Sequence, residues 1–334
     1  MNIASSSHSK VSKTGLFRKF GIATVFIIYF LILVGGVVRT TGSGMGCPDW
    51  PKCFGYWIPP TSVDQLPTDY QTIFQVAGKE IAEFSAIKTW IEYINRLIGA
   101  LTGFMILITL LFSLRYRLSN PPAFWFSLVC LVLVAFVGWL GARVVATDLL
   151  PGMITVHMLG AVLVASAMIL AVSIDRNSEL NIPSTDVLAF RTFQKLWWVG
   201  IILAFVQLIL GTQVREEVDV IALKYHEESR ELWISELDWK FYIHRSMSIG
   251  FAVLSFVLVK KSQKFQDTRI RKGAFFNFAF TLLAILAGIV LSYGDMPRYM
   301  QPIHLLIGTA ICGIQVYLGS VLYSRMVESP LVGE

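Results

Sequence analysis

Charge is scarce in this chain. Of its 334 residues only 15% are Asp, Glu, Lys or Arg, while 55% are hydrophobic, and the mean hydropathy is +0.63. An average soluble domain carries roughly 25% charged residues. A water-soluble helical protein would need polar stripes along its outer helices, and stretches such as VFIIYFLILVGGVV offer none. Histidine and cysteine are also few, at five and four. Their spacing matches no zinc finger, and no soluble basic module is present, so the net charge of +6 does not report nucleic-acid binding. A small-residue cleavage pattern is missing after the first apolar run, and Arg39 follows it directly. The run therefore reads as a retained span rather than a cleaved signal peptide.

What the chain does contain is apolar runs long enough to cross a bilayer. Eight are expected, at 17–38, 91–113, 123–145, 152–173, 194–214, 241–259, 274–293 and 301–321, several flanked by Trp or Tyr as interfacial anchors. The fold class is thus an all-α integral membrane protein with eight transmembrane helices. An even number of spans keeps both termini on one side. That side, with the loops near 115–122, 174–193 and 260–272, holds 16 Lys and Arg against 6 Asp and Glu. The positive-inside bias makes it cytoplasmic.

Cys47 and Cys53 lie together in the first outward loop, SGMGCPDWPKCFG, whereas Cys130 and Cys312 lie inside spans as small core residues. On an oxidising face the loop pair favours a disulfide. A metal pair is weaker because no histidine lies nearby, and a loop that merely holds two thiols is the plain alternative.

The outward span ends repeat in order. GGVVRTTGSG closes span 1 and GTQVREEVD closes span 5, with Gly35 and Gly211 each four residues before Arg39 and Arg215. WIEYINRLIG opens span 2 and WKFYIHRSMSIG opens span 6, which aligns Asn95 with His244, Arg96 with Arg245 and Glu92 with Phe241. ITVHMLGA around His157 matches QPIHLLIGTA around His304. Four crossings return the chain to its starting side, so the spans form two parallel-repeat four-helix bundles related by an axis along the membrane normal. The expected division is 1–173, a cytoplasmic linker at 174–193, and 194–325.

Histidines inside a membrane must find a partner or a ligand. His244 and His304 lie at similar depth on the second and fourth helices of one half, where two imidazoles can flank the iron of a haem. Interhelical hydrogen bonding is the plain alternative. In the first half His157 has Asn95 opposite it, which leaves a single imidazole and an open position, or a packed amide with nothing bound. His8 and His226 are assigned no role, the first in the N-terminal tail and the second in a charged outward loop. The matched arginines Arg39, Arg215, Arg96 and Arg245 can meet the carboxylates of a haem, although snorkelling explains any one of them. Arg143 and Arg298 also lie near outward span ends. Glu92 can take a proton, steady a developing cation or orient water; its plain alternative is an ion pair with Arg96.

Across essentially the whole eight-span body, GGVVRTTGSG, CPDWPKC, EYINR, the His157 segment, IHR and QPIHLLIG resemble the haem A synthase family. The resemblance implies oxidation of one ring methyl of haem O, through a hydroxylated intermediate and a geminal diol, to the formyl group of haem A for terminal oxidases. It implies haem b held by His244 and His304, substrate haem in the first half with His157, Glu92 in methyl oxidation, and a Cys47–Cys53 disulfide. The family pattern has histidine where this chain has Asn95. Partners implied are haem O and haem A within the lipid bilayer of a bacterial cell (inner) membrane. The haem O-forming enzyme, a redox partner and a second copy of the chain are further candidates. A haem b electron-transfer cytochrome is the competing reading, and it leaves Glu92 unexplained. A transporter is a third, without the discontinuous helices expected of one.

Overall fold

A computed structural model describes residues 14–174, 187–225 and 228–326. His8, His226 and most of the 174–193 linker lie outside the described residues. Among the described residues there are nine α-helices and no strand, only two isolated bridges. They are α1 (Thr14–Thr40), α2 (Tyr70–Ile73), α3 (Ala86–Ser113), α4 (Pro121–Ala146), α5 (Pro151–Ser173), α6 (Val187–Lys224), α7 (Trp239–Ser262), α8 (Thr268–Tyr293) and α9 (Met300–Met326). All but α2 are long and apolar enough to cross a membrane. Local chemistry sets several starts. Ser85 accepts from the Lys88 amide before α3, Asp238 from Lys240 before α7, and Asp267 from Arg269 before α8. Proline opens α4 and α5, where its missing N–H costs nothing.

The predicted spans match these helices except at α6, expected to end near 214 and to release a charged loop. It runs ten residues further, to Lys224. The physical reason is a short amphipathic pattern inside the charge-rich stretch. Val218 and Ile221 are buried with Trp233, Leu237, Phe241 and Met296, while Arg215 and Asp219 pair at the i,i+4 spacing on the polar side.

Helices α1, α3, α4 and α5 pack as a closed ring, each on the next, and α6, α7, α8 and α9 form a second ring of the same order. The rings join through α1–α9, α5–α6 and α5–α9. Exchanging the halves maps α1–α9 onto α6–α5 and α5–α9 onto itself, as the packing of a duplicated unit requires. Close approach at this seam depends on small residues. A Cβ on Gly36 would stand 2.8 Å from Pro302, and one on Gly313 would collide with the Tyr29 hydroxyl, which donates to the Thr309 carbonyl at 3.3 Å.

The outward segment between α1 and α3 builds its own small core from Cys47, Cys53, Phe54, Leu66, Tyr70, Val76 and Ile81. Cys47 and Cys53 form a disulfide with Cα atoms 4.8 Å apart, as the sequence favours. Both Asp49 oxygens accept amide hydrogens, from Phe54 at 2.5 Å and Gly55 at 2.8 Å, where the backbone turns left-handed.

Candidate functional site

Four polar side chains sit at one depth near the outward ends of the rings, each laid over a glycine of the adjacent helix. His244 of α7 lies on α6, where a Cβ on Gly211 would stand 3.2 Å from the ring. His157 of α5 lies over Gly141 of α4 at 3.3 Å, and His304 of α9 over Gly288 of α8 at 3.6 Å. Asn95 of α3 lies over Gly35 of α1 at 3.9 Å. Any larger side chain at these glycines would fill the space the rings use.

The rings of His244 and His304 stand near-perpendicular across the diagonal of the second bundle, with centroids 6.3 Å apart and planes at 74°. The Oδ1 of Asn95 is buried without a hydrogen-bond partner, and the buried Nδ1 atoms of His157, His244 and His304 make no well-aligned hydrogen bond, although each ring lies against the backbone of the adjacent helix, at Val137, Gln207 and Ala284. Such groups are costly unless something else satisfies them. No three His, Cys, Asp or Glu converge among the described residues, so these imidazoles are not corners of a protein-only cage of the structural zinc kind.

Glu92 is 4% exposed, and both its oxygens are engaged. Oε1 accepts from Arg96 Nη2 at 2.5 Å, and Oε2 from the Cys47 amide at 2.8 Å. Arg96 also donates to three carbonyls of the disulfide loop: Asp49 at 2.6 Å, Cys47 at 2.7 Å and Lys52 at 2.9 Å. The i,i+4 ion pair that stood as the plain alternative for Glu92 is therefore present, and it points into the outward loop and clamps it. A carboxylate has about four acceptor positions, so Glu92 keeps room for a further donor.

The other matched arginines diverge from their expected symmetry. Arg39 of α1 and Arg215 of α6, one from each half, both bind Asp219 of α6 and so tie the two rings together. Beside them Thr155 of α5 donates to Glu216 at 2.6 Å. Arg245 lies 5.9 Å from the ring centres of Phe241 and Tyr242. Phe241 occupies the position aligned with Glu92, so the second half replaces an ion pair with a cation–ring contact.

Gly141, Gly288 and Asp219 were not among the residues expected from sequence. The two glycines had a signal, since each precedes its histidine by 16 residues in the two copies. Asp219 had only its i,i+4 spacing from Arg215; nothing in the sequence joins it to Arg39, 180 residues away.

Fold and site together define a multi-pass membrane protein with buried imidazoles between the helices of two packed rings. A model of the cytochrome oxidase assembly protein family matches residues 18–316, and the chain belongs to that family. It is 28% identical over 188 residues to the haem A synthase of Shewanella oneidensis, covering 56% of this chain and 53% of that one. It is 22% identical over 331 residues to the haem A synthase of Rickettsia felis, covering 90% and 96%. A third relative, the haem A synthase of Pelagibacter ubique, is 32% identical over 136 residues, covering 37% and 39%. The match to the Shewanella protein spans about half of that relative's length.

Proposed function

We propose that this chain is a haem A synthase, oxidising a ring methyl group of haem O to the formyl group of haem A for terminal oxidase assembly. The observation that carries this reading is the diagonal pair His244 and His304, buried with their ring centres 6.3 Å apart in an apolar bundle. Two imidazoles bonded to opposite sides of one metal at about 2 Å each stand roughly 6 Å centre to centre. The residues present fit a porphyrin iron, which His244 and His304 would hold. Haem b held there would supply a one-electron redox centre.

In the first half, His157 is the imidazole that would meet the substrate iron, and Asn95 replaces the second ligand. Glu92 is the proposed catalytic group. Two donors hold its carboxylate in place, and its free acceptor positions can receive a proton or orient water beside the reacting methyl. Arg96 acts on the reaction by positioning Glu92 and the disulfide loop. Arg39, Arg215 and Arg245 are proposed to meet haem carboxylates, the first two in exchange with Asp219. Apolar helix surfaces accommodate the long hydrocarbon tail of the substrate. Each half is proposed to act as one unit, 1–173 for substrate and 194–325 for haem b. Both termini are proposed to face the cytoplasm of a bacterial cell, in keeping with the basic inner loops.

The test is extraction of porphyrins from purified protein followed by mass analysis. Haem b together with haem O, its hydroxylated product or haem A is the expected result. Haem b alone, unchanged when haem O is supplied, would make the chain an electron-transfer cytochrome.

A further inference from the structure

Eleven residues inward from the imidazole layer, the two rings differ in kind. Eleven residues are about three helical turns, so the same face returns roughly 16 Å deeper. Counting inward from Gly211, His244, Gly288 and His304 reaches Gly200, Ser255, Asn277 and Gln315, one on each helix of the second ring. Ser255 is 1% exposed, and Asn277 and Gln315 are fully buried. Asn277 Nδ2 donates to Ser255 Oγ at 2.9 Å. Asn277 Oδ1 and both amide atoms of Gln315 have no partner. Gly200 makes room for that amide, because a Cβ there would stand 3.1 Å from Gln315 Nε2.

The polar character continues toward the imidazoles. Gln207, between Gly200 and Gly211 on α6, donates Nε2 to the His244 carbonyl at 3.0 Å, and its Oε1 is also buried and unpartnered. Thr281 lies between the layers on α8, bonded to the Asn277 carbonyl at 2.7 Å.

The first ring at the same depth carries Thr24, Ile106, Cys130 and Met168, all fully buried. Thr24 pairs with Thr109 at 3.0 Å, and the Cys130 thiol reaches the Val164 carbonyl at 3.5 Å. Among the described residues, none of these four has an unpartnered side-chain nitrogen or oxygen. The polar side-chain atoms of that layer are paired.

Unpartnered amides at one level of a close-packed bundle are the condition under which buried water is retained, since a water makes two to four bonds to such groups. We propose that the second bundle holds an internal water site between Asn277, Gln315 and Ser255. Gln207 Oε1 is its next station toward His244, so the imidazole layer of this half is linked to a hydrated inner core and that of the first half is not. The ligand is water rather than a cation, because every group facing the site is neutral and a bare charge would go uncompensated. The site does not use the porphyrin. Loss of the haem assignment leaves it standing, and loss of the site leaves the haem assignment standing.

Ser255→Cys places a thiol in the layer with little change of volume, and native Cys130 is its control at the same depth in the other ring. The full chain in lipid nanodiscs is treated with methyl methanethiosulfonate, and modification is read at each cysteine by peptide mass analysis. A thiol reacts as its thiolate, which needs water, so the introduced thiol should be modified at least about tenfold faster than Cys130. Equal rates overturn the proposal. If the variant fails to assemble, a high-resolution map of the unmodified protein decides. Solvent density within hydrogen-bond distance of Asn277 Oδ1 or the Gln315 amide supports the site, and its absence overturns it.

Discussion

The two rings share one packing order and one set of glycines under the outward polar layer, yet almost every charged or polar detail above that frame differs. The second ring has two imidazoles across its diagonal, an aromatic residue at Phe241 and unpartnered amides deeper in. The first has one imidazole, Asn95, a buried carboxylate clamped to a disulfide loop, and an inner layer whose polar side chains are paired. A shared scaffold with unequal linings fits the proposed reading, in which one half would hold a haem and the other would transform one. The backbone frame is kept by apolar packing, while the chemistry changes one side chain at a time.

The largest effect that sharpens this contrast is loss of the imidazole pair. His244→Ala or His304→Ala should each remove the tightly held haem, seen as loss of its optical absorbance in purified protein. Full haem occupancy in both variants would end the assignment. Next, Glu92→Ala should leave that absorbance intact while haem O accumulates, with product formation falling about 10²- to 10⁴-fold, the usual worth of a positioned acid or base. Normal haem A output would remove Glu92 from the chemistry.

Asn95→His makes the first ring imitate the second. It should convert the first-half haem to a low-spin, two-imidazole spectrum and slow turnover. An unchanged spectrum would mean that residue 95 does not face iron. Opening the loop with the double change Cys47→Ser and Cys53→Ser should lower stability by about 2 kcal/mol, as expected for so short a closed loop, and be read as a lower Tm. It should also reduce turnover more than haem b content, because the Cys47 amide holds Glu92. The smallest change, Gly211→Ala, adds one methyl 3.2 Å from His244. It should shift the absorbance of the second-half haem while the effect of Asn95→His persists. The same substitution at Gly35, with 3.9 Å of clearance, should be milder still.

Much of this contrast was legible in the sequence because it is local. Continuous apolar runs named the eight spans, and a period of one half-chain aligned Asn95 with His244 and Glu92 with Phe241. The pair Cys47 and Cys53 was the only one in a single outward loop. The α6 extension was hidden because charged residues outnumber the apolar ones that its helical face buries. The direction of Arg96 was hidden for another reason. An i,i+4 pair is visible in one dimension, but the three loop carbonyls it also serves belong to a turn whose path depends on the disulfide and the small core around Phe54.

The sequence by itself pointed to the membrane class, eight candidate spans, a repeated order of motifs and a short set of candidate site residues. Those follow from hydropathy and spacing along one chain. Only the tertiary structure decided that His244 and His304 stand 6.3 Å apart, that Arg39 and Arg215 meet on Asp219, and that Glu92 is tied to Cys47. The pairs His244–His304, Arg39–Asp219 and Cys47–Glu92 lie far apart along the chain and meet only because helices and loop pack closely, where the absence of a side chain at a glycine matters as much as the presence of one elsewhere.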